Sequence, residues 1–139
     1  GDNDVMVYYK SVSSSGYEHY VPVTVPTNGE QSDAKAALDQ LFNGVVGASG
    51  LYTDIPEGVS LQDVNVENGI AYIDVITDNQ EILTQQVTFD RMTRNIGLTL
   101  SQFDSIAGLE VLINGMTAEE AGVEGVGDNS AIPVFANEY

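Results

Sequence analysis

The chain of 139 residues predicts an α+β fold: a two-layer sandwich in which two helices pack on a small mixed β-sheet. Three observations carry that prediction. Asn68-Gly69 sits between two β-rich runs, and Asn-Gly there favours a type I′ hairpin turn with positive φ at both central residues. Ile82, Phe89, Ile96, Leu100 and Phe103 recur at helical spacing, an apolar stripe long enough to cross a sheet. Leu109, Val111 and Ile113 then alternate with Glu110, Leu112 and Asn114, the period of a strand with one buried face.

The remaining elements follow in order. Val5 to Lys10 (VMVYYK) is β-branched and aromatic and reads as a strand. Glu18 to Val25 (EHYVPVTV) alternates, and Pro22, which cannot donate a ladder bond, places this strand at a sheet edge or at a bulge. Ser32 is the expected N-cap of a helix carrying Ala34, Leu38, Leu41 and Phe42 on one face, with Gly44 as its stop. Val45 to Gly58 is punctuated by Gly47, Gly50, Pro56 and Gly58 and is expected to be a loop. The hairpin strands are Val64 to Glu67 and Ile70 to Ile76. In the second, Ala71, Ile73 and Val75 share one face, and Asp74 interrupts the other. The pattern predicts one helix through Ile82 to Phe103, with Arg91 and Arg94 toward solvent. The order is β-β-α-β-β-α-β, which a layered sandwich satisfies. Residues 4–117 are expected to form the domain. Residues 118–139 are read as an acidic, Gly-rich tail with one short strand at 132–135.

Composition narrows the partners. The formal net charge is -17, and the basic residues are Lys10, Lys35, Arg91 and Arg94. Such a chain repels nucleic acid and anionic lipid headgroups. Cysteine is absent, which removes disulfides, thiolate nucleophiles and zinc-thiolate sites. No apolar run reaches the roughly 18 residues that span a bilayer. Membrane contact is therefore expected only through a removed N-terminal anchor.

The ordered segments VMVYYK (5–10), YVPVTV (20–25), AALDQLFNG (36–44), IPEGVSLQDVNVENGIAYIDV (55–75) and LTLSQFDSIAGLEVLING (98–115) resemble a GerMN domain, the module named for spore-germination proteins of sporulating bacteria. The resemblance covers roughly Val5 to Thr117. It implies a fold similar to the ring-building motif of secretion-system proteins, in which modules pack side by side into oligomers. It also implies a non-enzymatic, extracytoplasmic interaction or assembly module. The expected location is the outer face of the bacterial cytoplasmic membrane, through a lipid anchor. Other envelope or sporulation proteins, or peptidoglycan, are the implied partners. The chain holds one such domain where the germination protein has two, so a single-domain lipoprotein or accessory factor is expected.

The residues offer little chemistry of their own. His19 is the single histidine, with no cysteine and no Gly-x-Ser-x-Gly elbow to pair with. Asp2-Asn3-Asp4, Asp78 to Glu81 and Glu119-Glu120 lack the spacing of a calcium loop, so no metal or cofactor is expected. A wall hydrolase would need two carboxylates across a cleft, which the sequence does not place. The candidate ligand or interface residues are Asp74, Tyr52, Tyr72, Arg91 and Arg94. Asp74 would need a charge partner if buried, and Arg91 or Arg94 could supply it. Contact with a partner is expected through the helix layer or by strand addition at an exposed sheet edge.

Overall fold

Along Asp4–Val12 the side chains of Val5, Val7 and Tyr9 are buried while their neighbours are not, so one strand face defines the inside of the molecule. The computed structural model describes residues 4–26, 33–43 and 51–123, and the backbone of 132–133. Its strands are β1 (Asp4–Val12), β2 (Glu18–Pro26), β3 (Leu51–Tyr52), β4 (Val59–Glu67), β5 (Ile70–Thr77), β6 (Gly108–Ile113), β7 (Met116–Thr117) and β8 (Ile132–Pro133). Its helices are α1 (Asp33–Phe42), α2 (Glu81–Thr84), α3 (Gln86–Leu100) and α4 (Ala118–Ala121). The expected N-cap at Ser32 and stop at Gly44 lie outside the described residues.

The fold is the expected mixture of helices on β-structure, with the strands divided between two sheets. One has the order β2-β1-β3 and is antiparallel. The other runs β4-β5-β6-β7, with β8 also paired to β6. It is mixed, because β5 and β6 are parallel and the other pairs antiparallel. One core joins both sheets. Val7 and Tyr9, Leu38 and Leu41, Ile73 and Val75, Phe89, Ile96 and Leu100, and Leu109 and Ile113 belong to a single buried cluster. Burying each such aliphatic or aromatic side chain contributes about 1.5–3 kcal/mol.

Three departures from the sequence pattern have local causes. The helix expected through Ile82 to Phe103 is two helices, because Gln85 is extended (φ -76, ψ 121) and separates α2 from α3. β4 begins at Val59 rather than Val64, because a bulge between Leu61 and Asp63 breaks the alternation that would have revealed it. Leu51–Tyr52, within the expected loop, pairs with Lys10 and Ser11 of β1. The packed body also continues past Thr117. Thr117 caps α4 through a reciprocal capping box with Glu120, and Ala118, Ala121 and Val123 lie in the core.

Asn68-Gly69 and Asn114-Gly115 make the turns their chemistry favours. Asn68 and Gly69 have φ of 53° and 81°, Asn114 and Gly115 of 52° and 83°. At Gly69 an added Cβ would meet only ordinary contacts, 3.8 Å from the Ser105 carbonyl and 3.9 Å from Ala107 Cβ. The backbone conformation alone therefore sets the penalty. Gly69→Ala is expected to cost about 1–2 kcal/mol, read from denaturant unfolding at unchanged slope.

Candidate interaction surfaces

β1 is the strand on which the two halves of the molecule meet, and its hydrogen bonds explain how. Its inner residues pair with Val21, Val23 and Val25 of β2. Met6 and Tyr8 instead turn their backbone groups away from β2, toward α3. Met6 N–H donates to Gln102 Oε1 (2.9 Å), and Gln102 Nε2 donates back to the Met6 carbonyl (2.6 Å). Tyr8 N–H donates to Thr99 Oγ1 (3.2 Å), and Asn95 Nδ2 donates to the Tyr8 carbonyl (2.7 Å). Beyond Tyr8 the same edge is taken over by β3 at Lys10. Asn95, Thr99 and Gln102 are spaced four and three residues apart, so they form one stripe along α3 and the turn after it. A helix thus completes a sheet edge with side chains where no strand is available. Buried backbone polar groups demand such partners.

The same stripe fixes a charged cluster. The Asp54 N–H donates to Asn95 Oδ1 (2.9 Å). Lys10 Nζ lies 2.7 Å from Asp54 Oδ1, with the two side chains only 13% and 7% exposed, and 3.8 Å from Glu18. The Tyr20 hydroxyl donates to Asp54 Oδ2. Burial first, and then the bond to Asp54 and its negative charge, push the Tyr20 phenol above the ordinary tyrosine range, with Arg94 opposing. Burial also raises Tyr9, and a hydrogen bond with Gln40 lowers it. A raised folded pKa stabilises below the unfolded value and loses that contribution as pH climbs past it. Unfolding midpoints are therefore expected to fall above pH of about 10, and Tyr20→Phe to flatten that fall.

The sequence candidates separate onto different faces. Asp74 and Tyr72 lie together on the outer face of the mixed sheet, both half-buried. Tyr72 sits between Asn65 and Glu110, and Asp74 between Asp63 and Leu112. Strand alternation puts them opposite Ile73 and Val75, whose side chains share the core with Phe89 and Ile96 of α3. The expected pairing of Asp74 with Arg91 or Arg94 is therefore not made, since the sheet lies between them. Arg91 and Arg94 are exposed, and Arg94 acts on Tyr20. Tyr52 is 54% exposed on the outer face of the three-stranded sheet, beside Lys10. His19 is exposed and stacks on Tyr17, ring centroids 6.2 Å apart.

Sequence reasoning missed Asp54, Asn95, Thr99 and Gln102. The 95-99-102 spacing was the available signal, running beside the apolar stripe. Asp54 had none, since it lies in a Gly- and Pro-rich segment and its partners are 34 to 44 residues away.

Among the described residues no strand pairs with the outer edge of β2, and that edge is guarded. Tyr20, Pro22, Thr24 and Pro26 oppose Lys10, Tyr8, Met6 and Asp4, so they share the outward backbone direction. Pro22 and Pro26 have no N–H to offer an incoming strand. Strand addition at this edge is thereby disfavoured.

Residues 6–119 match the family model Germane, described as sporulation and spore germination. The chain belongs to the Germane family. This Germane domain is 32% identical over 117 residues to the spore germination protein GerM of Bacillus subtilis strain 168, a match covering 78% of the chain and 31% of that protein. It thus spans about a third of that relative's length. The structure of the tandem GerMN domains of B. subtilis GerM superposes with a TM-score of 0.66 at 29% identity, covering 94% of this chain and 46% of that one. The first GerMN domain of the same protein gives 0.65 at 25% identity, covering 93% and 97%. A chain from Clostridium perfringens, 16% identical with a TM-score of 0.51 over 81% and 75%, shares the fold alone. The Leu98 to Gly115 segment that carries the family resemblance holds three strand clamps. Thr99 and Gln102 hold β1. Asn114 donates and accepts at the backbone of Thr77 (3.0 Å each), extending β6 along β5.

Proposed function

We propose that this Germane domain is a non-enzymatic protein-interaction module of the bacterial cell envelope, acting outside the cytoplasmic membrane in sporulation or germination. The observation that carries the reading is how the polar side chains are used. Lys10, Asp54, Tyr20, Asn95, Thr99 and Gln102 close on one another and on strand backbone, holding two sheets together. The outer strand faces that remain open suit recognition rather than bond-making. Kinship with GerM supports the sporulation context. Among the described residues no helix is long and apolar enough to cross a membrane, and an N-terminal lipid anchor is part of the proposal.

The test is deletion of the gene from its own bacterium. Spore formation or germination should fall, an exported copy should restore it, and a copy retained in the cytoplasm should not. Normal sporulation and germination in the deletion strain, or rescue from the cytoplasm, would overturn the reading.

A second reading, binding of peptidoglycan glycan, draws on one observation. Register places Tyr8, Tyr20 and Tyr52 on the outer face of the three-stranded sheet around Lys10, and aromatic rings suit sugar faces. Purified cell wall should then retain the domain, and Tyr52→Ala should release it. No retention of the parent domain ends this reading.

A further inference from the structure

We infer that the outer face of the mixed sheet docks a cationic partner protein, through a segment that alternates basic and apolar side chains. The inference rests on the interaction reading above and names the surface and the chemistry of its occupant. On this face Tyr72, Ile76 and Leu112 form an apolar strip with Asp74 set in its middle, and Ile76 is 43% exposed. Asp63 and Glu67 of β4 flank it. None of the chain's four basic residues lies there. Lys10 is bound to Asp54, Lys35 on α1 to Asp39, and Arg91 and Arg94 stand on α3 beyond the sheet.

Register adds a second argument. Asp63 lies directly opposite Asp74 at the bulge. Like charges facing each other across a strand pair destabilise it, and a lysine or arginine seated between them from outside would remove that repulsion. Apolar contact then comes from Tyr72, Ile76 and Leu112 on the same strip. A second copy of the chain is the weaker occupant, because at a net charge of -17 two copies repel.

The probe is a short peptide of alternating lysine and leucine, titrated into the isotope-labelled domain, with a glutamine-for-lysine peptide as control. Amide shifts should be confined to β4, β5 and β6, and should weaken as salt rises. Asp63→Asn with Asp74→Asn should weaken binding by about tenfold or more, while Glu57→Gln with Asp90→Asn, the same charge loss elsewhere, should leave it intact. Equal weakening by both pairs, shifts centred on another face, or equal binding of the control peptide would overturn the proposal. So would concentration-dependent shifts of these residues in the domain alone, which would identify a second copy as occupant. Failure here leaves the deletion phenotype untouched, and loss of that phenotype leaves this titration untouched, so the two readings fail separately.

Discussion

Asn95→Asp is expected to destabilise the domain by about 3–5 kcal/mol at neutral pH, out of proportion to a change of one atom group. Asn95 is fully buried and works in both directions, donating to the Tyr8 carbonyl and accepting from the Asp54 N–H. An aspartate keeps the acceptor but loses the donor. It leaves the Tyr8 carbonyl facing a carboxylate oxygen and adds a charge near Asp54 in a site closed to water. Burial would raise the pKa of the introduced carboxyl. Once protonated it can donate to Tyr8 again, so the deficit relative to the parent should shrink as pH falls from about 7 to 5. Denaturant unfolding of both proteins across that range checks the size and sign. A deficit independent of pH would mean that Asn95 acts only by shape.

The second large effect concerns Asp54. Asp54→Ala removes the acceptor of both Lys10 and Tyr20 and leaves an ammonium that is 13% exposed with Glu18, at 3.8 Å, as its remaining described carboxylate. Breaking a buried pair from one side costs about 3–5 kcal/mol, whereas replacing both partners with apolar groups can be neutral. Lys10→Met combined with Asp54→Leu should therefore be more stable than Asp54→Ala alone. The double variant still keeps the Asp54 backbone N–H bonded to Asn95. Thermal unfolding of the parent, Lys10→Met, Asp54→Leu and the double variant measures the coupling. If the single changes simply add, the pair is not one unit.

Much of the fold is legible in the sequence because periodicity and turn chemistry are local. The Asn68-Gly69 and Asn114-Gly115 turns, the apolar faces of β5 and β6, and the edge or bulge position that Pro22 requires each follow from a few adjacent residues. What was hidden depended on partners far along the chain. The split of α2 from α3 lies in the backbone of Gln85, a residue with no breaker chemistry. The start of β4 is masked because a bulge shifts Leu61 and Val64 out of alternation. Placing the first hairpin in its own sheet required knowing that side chains of α3 and the turn after it, rather than a strand, complete the edge of β1 at Met6 and Tyr8. Of the candidate surface residues, Asp74 stood out because it breaks an apolar strand. Its neighbour across the sheet, Asp63, could be named only from the register. Asp54 looked like an ordinary loop carboxylate, and only the fold brings Lys10, Tyr20 and Asn95 around it.

The central claim is that buried polar residues hold the domain together while an outer sheet face recognises its partner. Complementation of the deletion strain, with cellular abundance measured beside it, tests this most directly. Asp63→Asn with Asp74→Asn should leave abundance unchanged, keep or raise the unfolding midpoint, and lose spore formation or germination. Asn95→Asp should lose function only in proportion to its lost abundance. Full function from the Asp63 and Asp74 variant would contradict the account, as would an Asn95 variant that is abundant and folded yet inactive.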